Sequence, residues 1–307
     1  MSKTIIFGSN GQDGRCLSEL LLARGDEVIG ISRASGIDLL NQESVANLIK
    51  ATKPDEIYYL AAFHHSSEQK TESEVSLWNQ SIQTHLTAPS ILLECVRLHS
   101  PQTRIFYASS SLVFGVGNGV LAESSPFSPD SPYAITKAAG MAMCQYYREK
   151  HQVFVSVGIL FNHESEFRAT KFLSKKIAST IAAIQKGTAT RLELGNLSAQ
   201  VDWGYARDYV EAMTRILKLP TPENFVISSG KLHSVKQFVE IAFKMAGMES
   251  QQYVVENASL LHRNIPPRFG DYSKLHTMTG WTPTTSFDKL IQILLKSEGV
   301  NLASHQS

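Results

Sequence analysis

Short apolar runs of strand length alternate with helical patterns through the first half of the chain, and that alternation leaves few architectures open. Runs at 4–7, 27–31, 56–60, 104–108 and 153–160 are bounded by turn residues and separated by helical patterns near 17–23, 45–51, 82–98 and 131–150. Strand, helix and strand repeating at this pace predict βαβ units, hence a parallel sheet with helices on both faces. Beyond Leu160 the regularity weakens into polar stretches at 162–170 and 187–200, followed by a strand-like run at 224–228 and a Ser234-capped helix to about Met245. The expectation is an α/β chain: a doubly wound parallel sheet over residues 1–160, rejoined by some later segments, and a smaller mixed α/β lobe over 161–307. A ligand crevice is expected where the two lobes meet.

With 43% hydrophobic and 19% charged residues among 307, the chain has an ordinary globular balance, which excludes a disordered or fibrous protein. Its 29 basic and 28 acidic residues form no long run of one sign, so neither nucleic acid nor a membrane surface is an expected partner, and a small molecule is. Cys16, Cys95 and Cys144 make no CxxC pair, and the first strand follows Lys3 with no signal-peptide core; both point to a cytoplasmic location. No metal is expected: His64 and His65 have no third ligand at metal spacing and read as polar lining at most.

Gly8, Gly11 and Gly14 lie directly after the first strand and open the first helix, with Gln12 and Asp13 between them. In that position a glycine turn lets the backbone approach a dinucleotide pyrophosphate, whose charge rests on the free N–H groups of the helix. The second strand ends in Ile31-Ser32-Arg33 rather than in an acidic residue, and a guanidinium there can grip a 2′-phosphate, so NADP(H) is favoured over NAD(H). Asp38 and Leu39 follow, where a carboxylate could accept from the adenine amino group. Further on, Ser109, Ser110 and Ser111 follow the fourth strand, and Tyr133 and Lys137 open a helix. Their spacing of four puts Tyr133 and Lys137 one turn apart on one face. The lysine charge is expected to lower the phenol pKa so that Tyr133 exchanges a proton with a sugar hydroxyl, while Ser110 or Ser111 orients the same oxygen.

Taken together these residues resemble the extended short-chain dehydrogenase/reductase family, with its Rossmann-type fold. Leu60, Ala61 and Ala62 look like its stretch beside the cofactor. Gly158 to Ser165, Leu194 to Leu197, Asp202 to Met213 and Gly280 to Pro283 are similar to the GDP-mannose 4,6-dehydratase and GDP-4-keto-6-deoxy-mannose reductase branch. The resemblance spans nearly the whole chain. It implies cofactor contacts from Leu160 and His163, and contacts to a GDP-linked sugar from Asn162, Gly195, Asn196, Trp203 and Arg263. It also implies a homodimer built on two helices from each subunit.

Three departures separate the chain from the dehydratases it resembles. Where they carry a glutamate that takes part in removing water between sugar carbons 5 and 6, this sequence has Leu112, which moves no proton. The loop after the second strand is short, with Arg33 leading within five residues to Asp38, as in the branch's reductases. An arginine expected just before Asp202, to meet the substrate diphosphate, is Val201, leaving Arg263 or Arg268 to compensate. The leading expectation is hydride transfer at carbon 4 of a GDP-linked 6-deoxy sugar, with Tyr133, Lys137 and Ser110 or Ser111 as catalytic residues. The alternatives are a 4,6-dehydratase with a substituted acid/base group, for which His163 and Glu164 are candidates, and a catalytically silent binder of cofactor and nucleotide sugar.

Overall fold

A computed structural model describes residues 1–63, 73–115, 117, 119–257, 259 and 267–303. Six strands form one sheet: β1 (Lys3–Phe7), β2 (Glu27–Ile31), β3 (Glu56–Tyr59), β4 (Arg104–Ser110), β5 (Val155–Leu160) and β6 (Asn224–Ile227). All neighbours are parallel and the spatial order is β2-β1-β3-β4-β5-β6. Every residue of β3 and of β5 is buried, as strands covered on both faces require, which is why they read as continuous apolar runs. The chain leaves β1 toward β2 on one side and returns to place β3 on the other. At such a switch point the crossovers diverge and open a crevice at the carboxyl ends of the strands.

Alternate residues along each strand feed two cores. Ile5, Phe7, Ile57, Tyr59, Ile105 and Tyr107 point to one face, under the helices Gln42–Thr52, Ala88–His99 and Pro132–His151. Ile6, Tyr58 and Phe106 point to the other, where they meet the helices Gln12–Ala23, Ala206–Ile216 and Ser273–Thr279. A third core, around Trp203, Phe238, Phe243 and Leu294, joins the helices Leu173–Gln185, Val235–Met245 and Phe287–Ser297 into the C-terminal lobe. The first two of the C-terminal helices that the sequence did not disclose, Leu173–Gln185 and Ala206–Ile216, start at Phe172 and Tyr205 with no capping side chain, so the usual start signal is missing.

The helix expected at 82–98 is divided. An α-helix Glu74–Ile82 passes through a π turn, Gln83–Thr87, into the helix Ala88–His99. Pro89 is the physical cause: it has no N–H for the carbonyl four residues back, that of His85, and its ring crowds that carbonyl. The ladder widens so that Ala88 N–H donates to Gln83 O, five residues back. The carbonyls of Thr84 and His85 instead accept the Tyr59 hydroxyl at 2.6 Å and the Tyr107 hydroxyl at 3.0 Å.

Candidate active site

A cavity of about 860 Å³ opens at the carboxyl ends of β1 to β5. Gly8, Gly11, Gln12, Asp13 and Gly14 line one wall, Arg33, Asp38 and Leu39 one end, Leu60, Ala61 and Ala62 the floor, and Ser110, Tyr133, Lys137, Leu160, Asn162 and His163 the remainder. Residues scattered from 8 to 163 in the sequence therefore converge on one space.

The glycine turn is built for a backbone approach. Gly8 has φ +88, and a Cβ on it would stand 2.7 Å from Ala61 N; a Cβ on Gly14 would stand 2.3 Å from Gly8 O. Gly11 caps the helix Gln12–Ala23 without a side chain, so its first N–H groups face the cavity uncovered. This cradle fits the pyrophosphate of a dinucleotide, since bare amides and the positive end of a helix dipole attract an anion and no side chain blocks its path. At the far end Arg33 is exposed beside Ser32, while Asp38 uses one oxygen locally, accepting from Leu40 N–H at 2.9 Å.

The Tyr133 helix starts cleanly. Ser131 caps it by accepting from Ala134 N–H, and Pro132 occupies the first helical position, where a missing N–H costs nothing. Lys137 is buried and its Nζ donates to Ala108 O at 2.7 Å. Burial lowers the ammonium to about 7. Burial likewise pushes the Tyr133 phenol up to about 12, against a lowering by the Ser110 hydroxyl that hydrogen-bonds to it and by the charge of Arg168. The expectation that Lys137 depresses the phenol is thus corrected: desolvation dominates, and the opposing pulls come first from Ser110 and then from Arg168.

His163 connects the two sides of the crevice. Its Nδ1 donates to Phe161 O at 2.7 Å, its Nε2 meets Asp13 Oδ1 at 2.9 Å, and its ring stacks on Tyr209 with centroids 4.6 Å apart. Gln12 Nε2 donates to His163 O at 3.0 Å. Burial alone would lower His163 and raise Asp13, but each is the other's counter-charge, and the net effect is His163 raised and Asp13 lowered.

Other expected residues stand elsewhere. Ser111 is buried in the turn Ser111–Phe114 and does not line the cavity, because the backbone bends away after Ser110. Trp203 lies in the C-terminal core against Phe238 and Phe287, its ring consumed by packing. Gly195 and Asn196 follow the strand Leu192–Leu194 outside the cavity, and the side-chain Oδ1 of Asn196 accepts from Ser198 N–H and Oγ–H. Arg263, His64 and His65 lie outside the described residues. Arg268 donates to Gly115 O and does not line the cavity, and Val201 packs against the C-terminal core. Cys144 lies on the Tyr133 helix itself, buried in the core.

The cavity also holds residues to which the sequence assigned no role of their own. Ser109 is buried with its hydroxyl unpartnered among the described residues, and Arg168, Lys171 and Phe172 add cationic and aromatic groups from the segment after β5. Arg168 is ion-paired to Glu164 at 3.0 Å, and that carboxylate also accepts from Ser174 Oγ at 2.6 Å. Their place just past the carboxyl end of a central strand is the available signal, since crevice residues of an open α/β sheet come from there.

Residues 5–294 match the GDP-mannose 4,6 dehydratase family. GDP-mannose 4,6 dehydratase 2 of Arabidopsis thaliana is 33% identical over 333 aligned positions, covering 98% of this chain and 88% of the relative. The Drosophila melanogaster GDP-mannose 4,6 dehydratase is also 33% identical, over 96% of this chain and 85% of its own. Among solved structures, RMD from Pseudomonas aeruginosa complexed with NADPH superposes with a TM-score of 0.83 at 22% identity, covering 97% of this chain and 99% of that one. Thermus thermophilus UDP-glucose 4-epimerase with NAD gives 0.79 at 19% identity, over 97% and 99%. The glycine cradle, the Ser-Tyr-Lys geometry and these matches lead to one conclusion: the chain belongs to the GDP-mannose 4,6-dehydratase family and is an enzyme of the extended short-chain dehydrogenase/reductase type.

Proposed function

We propose that the protein transfers hydride at carbon 4 of a GDP-linked sugar, acting as a reductase of a 4-keto-6-deoxy sugar with NADP(H) preferred over NAD(H). One observation carries the reading. Among the described residues the carboxylates lining the cavity are Asp13 and Asp38, and neither is placed to remove water from a sugar. Asp13 is held by His163, Asp38 sits with Arg33 at the far end, Glu164 is held by Arg168 and Ser174, and Leu112 faces the cavity where the dehydratases it resembles carry a glutamate.

The glycine turn would hold the pyrophosphate, and Arg33 would hold a 2′-phosphate. Once bound, the nicotinamide supplies or accepts the hydride. Tyr133, at about 12, keeps its proton at neutral pH, so its natural role is to donate to the oxygen that becomes an alkoxide as a ketone is reduced. Ser110 donates to the phenol oxygen, which stabilises the tyrosinate left behind. Lys137, near 7, can return a proton toward that oxygen after each turnover. Asn162 and Lys171 line the same cavity and would meet the sugar.

The test is an assay with two substrates. GDP-mannose should yield no 4-keto-6-deoxy sugar, and the keto sugar with NADPH should consume cofactor stoichiometrically, faster than with NADH. Conversion of GDP-mannose without net cofactor consumption would replace the reductase reading with the dehydratase one.

A further inference from the structure

We propose that His85, held by the π turn in a single neutral tautomer, is a positioning residue that sets the Tyr133 ring for proton transfer. The inference rests on the role given to Tyr133 above. His85 is fully buried, and its ring meets the Tyr133 ring edge-on with centroids 5.1 Å apart. Its Nε2 accepts the Phe63 N–H at 3.1 Å. A backbone amide can only donate, so Nε2 carries no proton, and the proton of the neutral ring is on Nδ1. Nδ1 then donates to Thr136 Oγ1 at 2.8 Å, whose own hydrogen is directed to Pro132 O at 2.7 Å. One imidazole therefore ties the first turn of the tyrosine helix to the segment leaving β3, where Ala61, Ala62 and Phe63 line the cavity.

The surroundings fix this ring from behind. Pro89 denies the His85 carbonyl its helical partner, the Tyr107 hydroxyl takes that place, and a Cβ on Gly140 would stand 2.2 Å from the same hydroxyl. Glycine at 140 is what lets the tyrosine helix close onto the π turn. A side chain there would push Tyr133 away from Ser110. The turn also presents Gln83 and Thr84 to the cavity, so a shift of His85 would be felt at both its walls.

Turnover, binding and spectroscopy together test this. His85→Ala and Thr136→Val should each lower kcat for the keto sugar by about tenfold to a hundredfold, with the Kd of NADPH unchanged, as misplacement of a reacting group does. The double variant should be no worse than the worse single one, because both break the same bond. His85→Asn, which restores a donor to Thr136, should recover part of the loss. The 13Cζ resonance of Tyr133, identified by its absence in Tyr133→Phe, should move in His85→Ala and Thr136→Val and return toward the native position in His85→Asn. That readout needs no substrate, so it holds if the keto sugar is not turned over, an outcome that would overturn the reductase reading alone. A Tyr133 resonance unmoved in both variants, additive losses in the double variant, or 15N histidine spectra placing the proton on Nε2 would overturn the inference. Unfolding midpoints measured alongside separate it from plain destabilisation, which would lower stability and leave kcat per folded molecule unchanged.

Discussion

Trp203 belongs to a sequence run that marks the family, yet its indole is wedged between Phe238 at 5.3 Å and Phe287 at 5.7 Å, far from any ligand-lining role. Truncation to alanine is expected to cost about 3–5 kcal/mol in denaturant unfolding, the range for emptying a large aromatic site. Trp203→Phe should regain much of that loss and leave the KM for the sugar nucleotide unchanged; a raised KM at native stability would return Trp203 to the substrate site. Neighbouring Asp202 has a similar structural duty, accepting from Ser229, Gly230 and Gly270 N–H groups. The Tyr133–Lys137 pair teaches the reverse lesson. Spacing identified both residues, but their proton affinities depend on burial, which a sequence does not show: the phenol rises to about 12 and the ammonium falls to about 7.

At the scale of elements, the first helix and the segment after β5 are latched by Asp13 and His163, and the latch has a pH window. His163 is raised from 6.5, so its contribution is complete below 6.5 and fades as pH rises through the higher folded value. Asp13 is lowered from 3.8, so its contribution is present above 3.8 and fades as pH falls through the lower folded value. Thermal unfolding should accordingly show wild type losing stability relative to His163→Gln as pH climbs above neutrality. Parallel pH curves for the two proteins would remove the ion pair from the account. The glycine turn, the strands β1 to β5 and the start of the Tyr133 helix were legible, because each depends on local chemistry: the period of the apolar residues and glycines or prolines where a strand gives way to a helix. Helix Leu173–Gln185 lacks a cap, the π turn hinges on one proline inside a good helical pattern, and the Asp13–His163 pair joins groups 150 positions apart. Those features come from tertiary contacts, which periodicity does not record.

For the whole molecule, apolar side chains on two adjoining helical elements remain uncovered: Val75 at 69% and Ile82 at 40% exposure on one, Ile135 at 37% and Tyr146 at 54% on the other. We propose that a second copy of the chain covers them, since water-facing apolar groups on neighbouring helices are a mark of association. Sedimentation should give a dimer that Ile82→Glu with Tyr146→Glu converts to monomer; a wild-type monomer at micromolar concentration would refute it. Strand β6, donated by residues 224–227 to an otherwise N-terminal sheet, and Trp281, buried against Tyr209 on its face, bear on how the molecule is made. A ribosome that has delivered the whole cofactor cradle has still not delivered the strand that shields β5 or the indole that seals the sheet. The emerging polypeptide must hold that apolar edge unpaired while the roughly 65 residues between β5 and the end of β6 are added, about 3–13 s at ordinary elongation rates. The exposure of an unpaired strand edge during synthesis is therefore written into the order of its strands.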